Sequence, residues 1–351
     1  ERLHVAALDT TRLTDMALSW NPSLENGADL LHVDAAGHVF ISGEFHFFGA
    51  VKRQNLAAID LLTGELLPWN PGADGWVRAL DVLGNTVYIG GDFTTIGGVS
   101  RSRIAGLDVV TGVVSDWTAN PNGTVNSLMV FGDAIYFVGS FSQVKNSTSR
   151  GRGAAVSTDG TVLAWNPAAN GNIESLFVST DRVFLGGVFT TLGGVSHQRL
   201  GAVSTTTGDP VAAFAPSVNG AVYRLDVEDD LVFFGGSFGM VNGSTRGNAG
   251  AVKSAPGMGD DGQLQGWDPS VGGPIYDMDA FGGNVYLAGG FGSVGGSSRP
   301  GIAMVDALAN GGAVRSWLPQ DVNGGAISVI DTSDTAVLFG GLLQDLDGID
   351  I

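Results

Sequence analysis

The sequence has 351 residues, among them 55 Gly and no Cys; 44% of it is hydrophobic and only 15% is charged. This much apolar material excludes a disordered or collagen-like chain, so the glycines must punctuate a packed fold. A net charge of −18 argues against a nucleic-acid partner, whose phosphates need clustered Lys and Arg. No apolar run approaches the ~18 residues of a membrane span, so we expect no membrane insertion.

Two landmarks recur along the chain at intervals of about 50 residues. The first, Gly-Gly-x-Phe, places its aromatic residue at Phe45, Phe93, Phe141, Phe189, Phe238 and Phe291, with Leu343 in the seventh slot. The second, usually Trp-Asn-Pro, begins at Trp20, Trp69, Trp117, Trp165, Phe214, Trp267 and Trp317. Such periods are typical of propellers and solenoids, and seven of them account for the chain, which predicts a single domain over residues 1–351.

The stretch 77–123 illustrates the elements predicted in each repeat. Four short strands, a to d, are predicted at 77–83, 86–93, 103–109 and 113–117. Asp108-x-x-Thr111-Gly112 caps the c–d turn and supplies Gly where φ must be positive. The pair Gly90-Gly91 lets strand b pass close to neighbouring backbone, so we expect b to be the innermost strand.

The two ends of the chain match complementary parts of the repeat. Val5 to Asp9 matches strand c at Ile104 to Asp108, whereas the last repeat ends after strand b at Gly340-Gly341. Strands c and d of the last blade would then come from the N-terminus, which removes the exposed sheet edges of an open array. The sequence therefore predicts an all-β fold: a seven-bladed β-propeller of four-stranded antiparallel blades, closed by a 2+2 strand clasp between the termini.

The full motif of a repeat is Gly-Gly-x-Phe-x-x-(Ile/Val/Leu)-Gly-Gly-x-x-Arg, then Ala-x-(Leu/Val)-Asp-x-x-Thr-Gly, then Trp-Asn-Pro. It resembles the kelch and galactose-oxidase-like propellers and, more fully, the delta-60-type propeller repeats of bacterial secreted and surface proteins. The propeller of fungal cortical polarity-marker proteins is similar. The resemblance covers essentially the whole chain. It implies a secreted or surface-displayed propeller and no catalytic residue, since the Cys and the Tyr/His set of galactose oxidase are missing.

An arginine recurs eight or nine residues after the signature aromatic residue, in the b–c loop. The recurring residues are Arg53, Arg101, Arg150, Arg246 and Arg299, and His197 takes this slot in the fourth repeat. One interpretation is structural: each guanidinium hydrogen-bonds loop carbonyls or stacks on the Trp of Trp-Asn-Pro. The alternative is a ring of similar anion or sugar sites. We expect the structural role.

Three residues depart from the repeat in a way that suggests binding. His46 and Phe47 occupy slots held elsewhere by small polar residues, and Trp76 is an unmatched Trp in the following d–a connection. Because b–c and d–a loops emerge at the same end of a blade, these side chains are predicted to form one aromatic patch for a partner or a carbohydrate. The alternative is that Trp76 packs beneath the loop.

Acidic residues offer one candidate metal site. Asp345, Asp347 and Asp350, with Gly348 at the bend, form an incomplete calcium loop that lacks the later bidentate Glu, so Ca²⁺ is the one cofactor considered. The clusters at 228–230 and 260–261 lie at turns and are expected to be solvated. His32 is expected to point to the face opposite the core and to be structural.

Enzyme signatures are thin: the sequence has no HExxH and no Gly-x-Ser-x-Gly, and its largest insertion, around 255–262, is short. The leading prediction is a non-enzymatic interaction or structural module, extracellular or at the cell surface. Its partner would be a protein or glycan on a cell surface, or other subunits of a larger assembly. One alternative is a carbohydrate-binding propeller lectin. Another is a lyase or hydrolase at the channel mouth near Glu44 and Asp92, which two close carboxylates at the axis would support.

Overall fold

The computed structural model describes residues 4–9, 24–145, 147–308, 311–316, 326–333 and 336–341. Every regular element within these ranges is a β-strand, and the strands form seven three-stranded antiparallel sheets and six two-stranded hairpins. The all-β prediction is confirmed.

Each three-stranded sheet is a meander of strands a, b and c. Strand a spans Ala28–Val33, Val77–Leu83, Val125–Phe131, Ile173–Val178, Ala221–Glu228, Ile275–Phe281 and Ile327–Thr332 in repeats 1 to 7. Strand b spans His38–Gly43, Thr86–Gly91, Ala134–Gly139, Arg182–Gly187, Leu231–Ser237, Asn284–Gly289 and Ala336–Gly341. Strand c spans Leu56–Asp60, Ile104–Asp108, Gly153–Ser157, Leu200–Ser204, Ala249–Lys253, Ile302–Asp306 and, in the seventh sheet, Val5–Asp9. This last strand pairs antiparallel with Ala336–Gly341, and Ala7 lies opposite Leu338.

A short hairpin occupies the b–c connection of each of repeats 1 to 6. Its two strands are Phe47–Phe48 with Val51–Lys52, Thr95–Ile96 with Val99–Ser100, Gln143–Val144 with Thr148–Ser149, Thr191–Leu192 with Val195–Ser196, Met240–Val241 with Ser244–Thr245, and Ser293–Val294 with Ser297–Ser298. The preceding d–a connection caps this hairpin: the Asp74 carboxylate accepts the Thr94 and Thr95 N–H groups at 2.7 and 2.8 Å. The two kinds of loop therefore share one end of the fold, as predicted.

The predicted fourth strand is much shorter than expected. In repeat 2 it is reduced to one bridge, Leu107 to Val114, with Ser115 N–H donating to the Gly106 carbonyl at 2.8 Å. The chain then turns away, because the Trp117 indole N–H donates to the Ser157 carbonyl of the next sheet at 2.8 Å. The prediction of a full strand d at 113–117 is wrong for this reason.

The innermost strand is a, and the expectation that b lines the axis is wrong. Strand a of each repeat contacts strand a of the next, and strand a of repeat 7 contacts that of repeat 1. The glycines of strand b serve packing between neighbours. A Cβ on Gly90 would lie 2.5 Å from the Val125 side chain, and one on Gly91 would lie 2.0 Å from the Trp76 carbonyl oxygen.

Carboxylates on the innermost strands bind the free edge of the neighbouring sheet. Strand a pairs with b on one side only, so its other edge has N–H groups that need acceptors. The Asp226 carboxylate accepts the Ala280 N–H at 2.7 Å, and the Asp331 carboxylate accepts the Val33 N–H at 2.7 Å across 298 residues of sequence. These bonds join adjacent sheets at the axis, including the last repeat and the first.

In four of the landmarks that the structure describes, a Trp joins neighbouring sheets at the periphery. Trp69 is buried, its ring packs edge-to-face on Phe40 at 5.1 Å, and its indole N–H donates to the Asp108 carbonyl of the next sheet at 3.0 Å. Trp117, Trp165 and Trp267 make the same bond. The signature aromatics Phe45 to Phe291 are buried in the same apolar layers. The recurring residues are therefore largely scaffold.

Candidate functional site at the channel mouth

A cavity of about 260 Å³ lies among the innermost strands. All seven strands a contribute to its wall, so it occupies the axis around which the sheets are arranged. Its residues near the start of strand a lie at the end of the fold that carries the b–c hairpins. We call this part of the cavity the channel mouth: Asp29, Arg78, Asn126 and Arg224 line it, and Glu174 adjoins it through its hydrogen bond with Asn126.

A bulge near the start of every strand a shapes the channel mouth. The pairing of a with b skips one residue between Val77 and Ala79, and the same irregularity recurs in the other six sheets. The skipped residues all carry a polar group: Asp29, Arg78, Asn126, Glu174, Tyr223, Tyr276 and Ser328. Bulges commonly re-aim side chains beside functional sites.

Ion pairs and hydrogen bonds order the polar side chains of the mouth. Arg78 Nε donates to Asp92 Oδ2 at 2.6 Å, and Arg224 Nε donates to Asp277 Oδ1 at 3.0 Å. Asn126 Nδ2 donates to Glu174 Oε2 at 2.8 Å. The site thus holds cations, carboxylates and an amide in fixed relative positions.

The carboxyls of the mouth are held in an unfavourable environment. Burial raises the pKa of Glu174, although the charges of Arg224 and Arg78 oppose the shift. Burial also raises the pKa of Asp29; Arg78 opposes this and Glu44 reinforces it.

A second set of titratable groups lies deeper along the axis. Burial, reinforced by the charge of Asp279, raises the pKa values of Asp226 and Asp331 well above the usual range. Burial lowers the pKa of His32, against the charges of Asp81, Asp34 and Asp279. His32 therefore lies on strand a near the carboxylates of its neighbours. The hydrogen bonds of Asp226 and Asp331 to backbone N–H groups give these carboxyls a structural role.

The three residues of the predicted aromatic patch lie on two different elements. Phe47 is exposed on the hairpin of repeat 1, and the N–H of His46 donates to Glu25 Oε2 at 3.0 Å. Trp76 immediately precedes strand a of repeat 2, and the Arg78 guanidinium carbon lies 4.7 Å from its ring centroid. With 43% of its surface exposed, Trp76 is not packed beneath the loop and belongs to the rim of the channel mouth. Joint binding by these three residues stays a prediction.

The recurring arginines hydrogen-bond backbone carbonyls. Arg101 donates from Nη1 to the Ser100 carbonyl and from Nη2 to the Ser115 carbonyl, at 3.1 and 2.7 Å. Arg53, Arg150, Arg246 and Arg299 make the equivalent pair of bonds. The arginines therefore hydrogen-bond loop carbonyls, which is the first of the two structural roles considered for them. In the fourth repeat His197 is buried with neither ring nitrogen hydrogen-bonded to another described residue, and burial lowers its pKa.

The remaining acidic predictions have different outcomes. Asp261 is not a solvated turn residue: its carboxylate and Arg182 Nη1 are 2.9 Å apart, and both side chains are almost fully buried. The insertion at 255–262 therefore joins repeat 5 to repeat 4. The candidate calcium ligands Asp345, Asp347 and Asp350 lie outside the described residues. Within the described ranges, no group of three or more His, Asp or Glu is arranged to hold a metal ion.

The carboxylates proposed for an enzymatic site are differently placed. Asp92 is engaged by Arg78 and by the Thr124 hydroxyl at 2.5 Å, whereas Glu44 is solvent-exposed. The bulged residues of the mouth were missed, because the register of a with b cannot be read from one strand. The sequence does contain one signal for these bulged residues. A polar residue follows Val77, Val125 and Ile173, at the same position of an otherwise apolar strand.

Comparison with known proteins supports the fold class. No family model and no curated protein sequence matches the chain. Among solved structures, BamB from Moraxella catarrhalis is similar with a TM-score of 0.52 and 15% identity, covering 97% of this chain and 91% of that one. The WD40 domain of Neurospora crassa Pan2 has a TM-score of 0.54 and 11% identity, with 90% and 89% covered. The WD40 β-propeller domain of Doa1 has a TM-score of 0.51 and 12% identity, with 92% and 91% covered.

These likenesses and the meander sheets define the class: the chain is a β-propeller. At identities this low they show the fold alone, and neither the delta-60-type nor the kelch-type assignment follows from them. In the described part of the chain, no helix has the length and apolar character needed to cross a bilayer.

Proposed function

We propose that the chain is a closed seven-bladed propeller that acts as a non-enzymatic interaction module, outside the cell or on its surface. The blade count is supported by the seven three-stranded sheets. Closure is supported by the pairing of Val5–Asp9 with Ala336–Gly341 and by the bond from Val33 to Asp331. The delta-60-type repeat motif supports the secreted or surface location.

One observation carries the proposed activity: short hairpins lie at the channel-mouth end of the fold, and several expose large apolar side chains. These are Phe47 and Val51 in repeat 1, Val99 in repeat 2, Val195 in repeat 4 and Met240 in repeat 5. Trp76 adds an exposed aromatic ring at the rim. Apolar groups held on short, capped hairpins lose little entropy on binding, which suits a surface for a protein or glycan partner.

Four carboxylates at or near the axis are committed to the scaffold, which favours a binding role over catalysis. Asp226, Asp277 and Asp331 each accept a backbone N–H from the next strand a, so they are committed to holding the sheets together. Asp92 is committed to Arg78 and Thr124. A general acid or base needs a carboxyl free to exchange a proton with substrate.

The test is binding of the labelled chain to intact cells of the organism that makes it, measured by flow cytometry. The double variant Phe47→Ala/Trp76→Ala should bind at least several-fold less, with an unchanged melting temperature. Leu62→Ala is the matched control, because Leu62 is a strongly exposed apolar residue in a c–d turn at the opposite end. Equal binding by the double variant, or a fall in melting temperature with binding unchanged, would contradict the proposal.

A further inference from the structure

The insertion at 255–262 is an anchored loop that exposes an apolar side chain at the end of the fold opposite the channel mouth. The Asp261 carboxylate accepts the Ala255 N–H at 2.9 Å and pairs with Arg182 of repeat 4 at 2.9 Å. Both side chains of this ion pair are almost fully buried. Met258 lies on the loop and is 67% exposed. One exposed apolar residue is ordinary, so its neighbours decide whether it belongs to a binding surface.

Side-chain contacts join this loop to the turns between strands a and b of repeats 5 and 6. Lys253 Nζ donates to Asp260 Oδ2 in the loop at 2.9 Å and lies 3.8 Å from Asp230 Oδ2 in the a–b turn of repeat 5. The a–b turns of repeats 5 and 6 are joined in turn, because Glu228 Oε1 accepts the Gly283 N–H at 2.9 Å. The loop and the two turns therefore form one continuous surface.

The turns of repeat 6 add two exposed apolar side chains to this surface. Phe281 ends strand a and is 39% exposed, and Leu308 in the c–d turn is 74% exposed. The Ala307 N–H donates to the Gly283 carbonyl at 3.0 Å, which holds the two turns of repeat 6 together. We call the whole surface the turn patch, and its members are Met258, Phe281, Leu308, Asp229, Asp230 and Asp260.

The carboxylates of Asp229 and Asp230 are available to a partner. By contrast, Asp60 and Asp108 each accept backbone N–H groups of their own c–d turns. The Asp229 and Asp230 carboxylates accept no hydrogen bond from any residue that the structure describes, and the Asp230 side chain is 59% exposed. In the described part of the chain, Lys253 is the only basic residue paired with the turn patch. The patch therefore carries a net negative charge beside its apolar side chains.

Charge and apolar surface together select the kind of partner. Carboxylates repel the phosphates of nucleic acids and of anionic membranes. A metal ion would leave the apolar side chains without a role, and no group of three or more described His, Asp or Glu residues is arranged to hold one. A polypeptide that carries Lys or Arg beside apolar side chains is complementary to both features of the patch.

We propose that the turn patch binds a basic segment of a partner protein. The Lys or Arg side chains of that segment pair with the three carboxylates, and its apolar side chains contact Met258, Phe281 and Leu308. This surface lies at the opposite end from the b–c hairpins, so it goes beyond the interaction role proposed for them.

The test is fluorescence anisotropy of the whole chain with a labelled peptide of alternating Lys and Leu. A peptide of alternating Lys and Ser has the same charge without the apolar side chains and should bind more weakly. Asp230→Lys should weaken binding of the Lys-Leu peptide about fivefold or more. Asp133→Lys is the matched control, because Asp133 takes the same position in the a–b turn of repeat 3. The Asp133 carbonyl accepts the Thr158 N–H as the Asp230 carbonyl accepts the Ser254 N–H.

Leu308→Asp tests the apolar half of the turn patch and should cause a comparable loss of affinity. Val110→Asp is its matched control: each residue is exposed, and its N–H donates to the Asp that begins its c–d turn. Should Leu308→Asp lower the melting temperature, Met258→Asp provides the second measurement, with the same loss expected.

The proposal is overturned if the Lys-Leu peptide does not bind, or if the Lys-Ser peptide binds equally well. It is also overturned if the control variants weaken binding as much as the variants of the turn patch. Phe47→Ala/Trp76→Ala should leave peptide binding unchanged, and a loss there would place the peptide on the hairpin surface instead. Failure of this proposal is therefore distinguishable from failure of the cell-binding test.

Discussion

The hydrogen bond between Asp331 and Val33 joins the last repeat to the first and can be removed by one substitution. Asp331 Oδ2 accepts the Val33 N–H at 2.7 Å in the buried wall of the axis. Asp331→Ala leaves this N–H without its acceptor, which should cost about 1 to 3 kcal/mol. For a chain of this size that loss lowers the melting temperature by about 1 to 4 °C.

Asp331→Asn should behave differently, because the amide oxygen can still accept the Val33 N–H. Burial, reinforced by the charges of Asp279 and Asp277, raises the pKa of Asp331 in the folded state. The folded state therefore binds more protons than the unfolded state. Its stability falls as pH rises from the ordinary carboxyl pKa of about 3.9 towards the folded value. The Asn variant lacks this penalty, so its stability relative to the unaltered chain should increase from pH 5 to pH 8.

The assay is urea denaturation followed by tryptophan fluorescence at pH 5 and pH 8. Asp226→Ala and Asp226→Asn are matched controls, because Asp226 accepts the Ala280 N–H between two internal repeats and its pKa is also raised. In a closed ring, Asp331→Ala and Asp226→Ala should cost similar free energies of unfolding. If Asp226→Ala destabilises the chain and Asp331→Ala does not, the contact between the last repeat and the first does not form. If Asp331→Asn is as damaging as Asp331→Ala, the pH argument is wrong.

Three further substitutions test the packing. Trp69→Ala removes a buried ring and the hydrogen bond to the Asp108 carbonyl. It should lower the free energy of unfolding, measured by calorimetry, by about 3 to 5 kcal/mol. A loss of less than about 1 kcal/mol would contradict the inter-sheet role of Trp69. Because burial lowers the pKa of His197, the melting temperature should fall as pH drops below about 6.5. His197→Phe should reduce this pH dependence of the melting temperature, and an unchanged pH dependence would refute the argument. Asp261→Ala leaves buried Arg182 with only the half-exposed Asp181 as a carboxylate partner and should cost up to about 3 to 5 kcal/mol. Replacing both Asp261 and Arg182 by apolar residues should cost less, measured as a double-mutant cycle; equal costs would contradict the pairing.

The repeat and the all-β fold were predictable because their signals are local. The strand boundaries of repeat 2, predicted at 77–83 and 86–93, lie close to the observed Val77–Leu83 and Thr86–Gly91. Turn residues and apolar runs act within a few positions of the sequence, so each repeat could be interpreted alone. The hydrogen bonding of the recurring arginines to carbonyls followed from the same regularity.

The order of strands around the axis was not predictable from glycine positions. Gly90 and Gly91 do indicate close backbone approach, but the sequence does not say which neighbour approaches. The structure shows Val125 of the next repeat and Trp76 of the same one. Similarly, Asp261 is paired with Arg182 across 79 residues, and no local signal distinguishes it from a solvated turn residue. Identifying the bulged residues of the channel mouth requires the register between strands a and b, which the sequence of one strand does not give.

Ring closure is the claim on which the channel and its mouth depend, and a disulfide trap tests it most directly. The chain has no Cys, and Ala7 lies opposite Leu338 in the antiparallel pair of the seventh sheet, where Cα atoms are about 4.5 to 5.5 Å apart and within disulfide reach. Ala7→Cys/Leu338→Cys, refolded in a glutathione buffer, should give a monomer whose two peptides remain linked in non-reducing mass spectrometry. The control Ala7→Cys/Leu185→Cys places the second thiol in the fourth sheet and should stay reduced. Free thiols in the first pair, or equal cross-linking in both, would contradict closure.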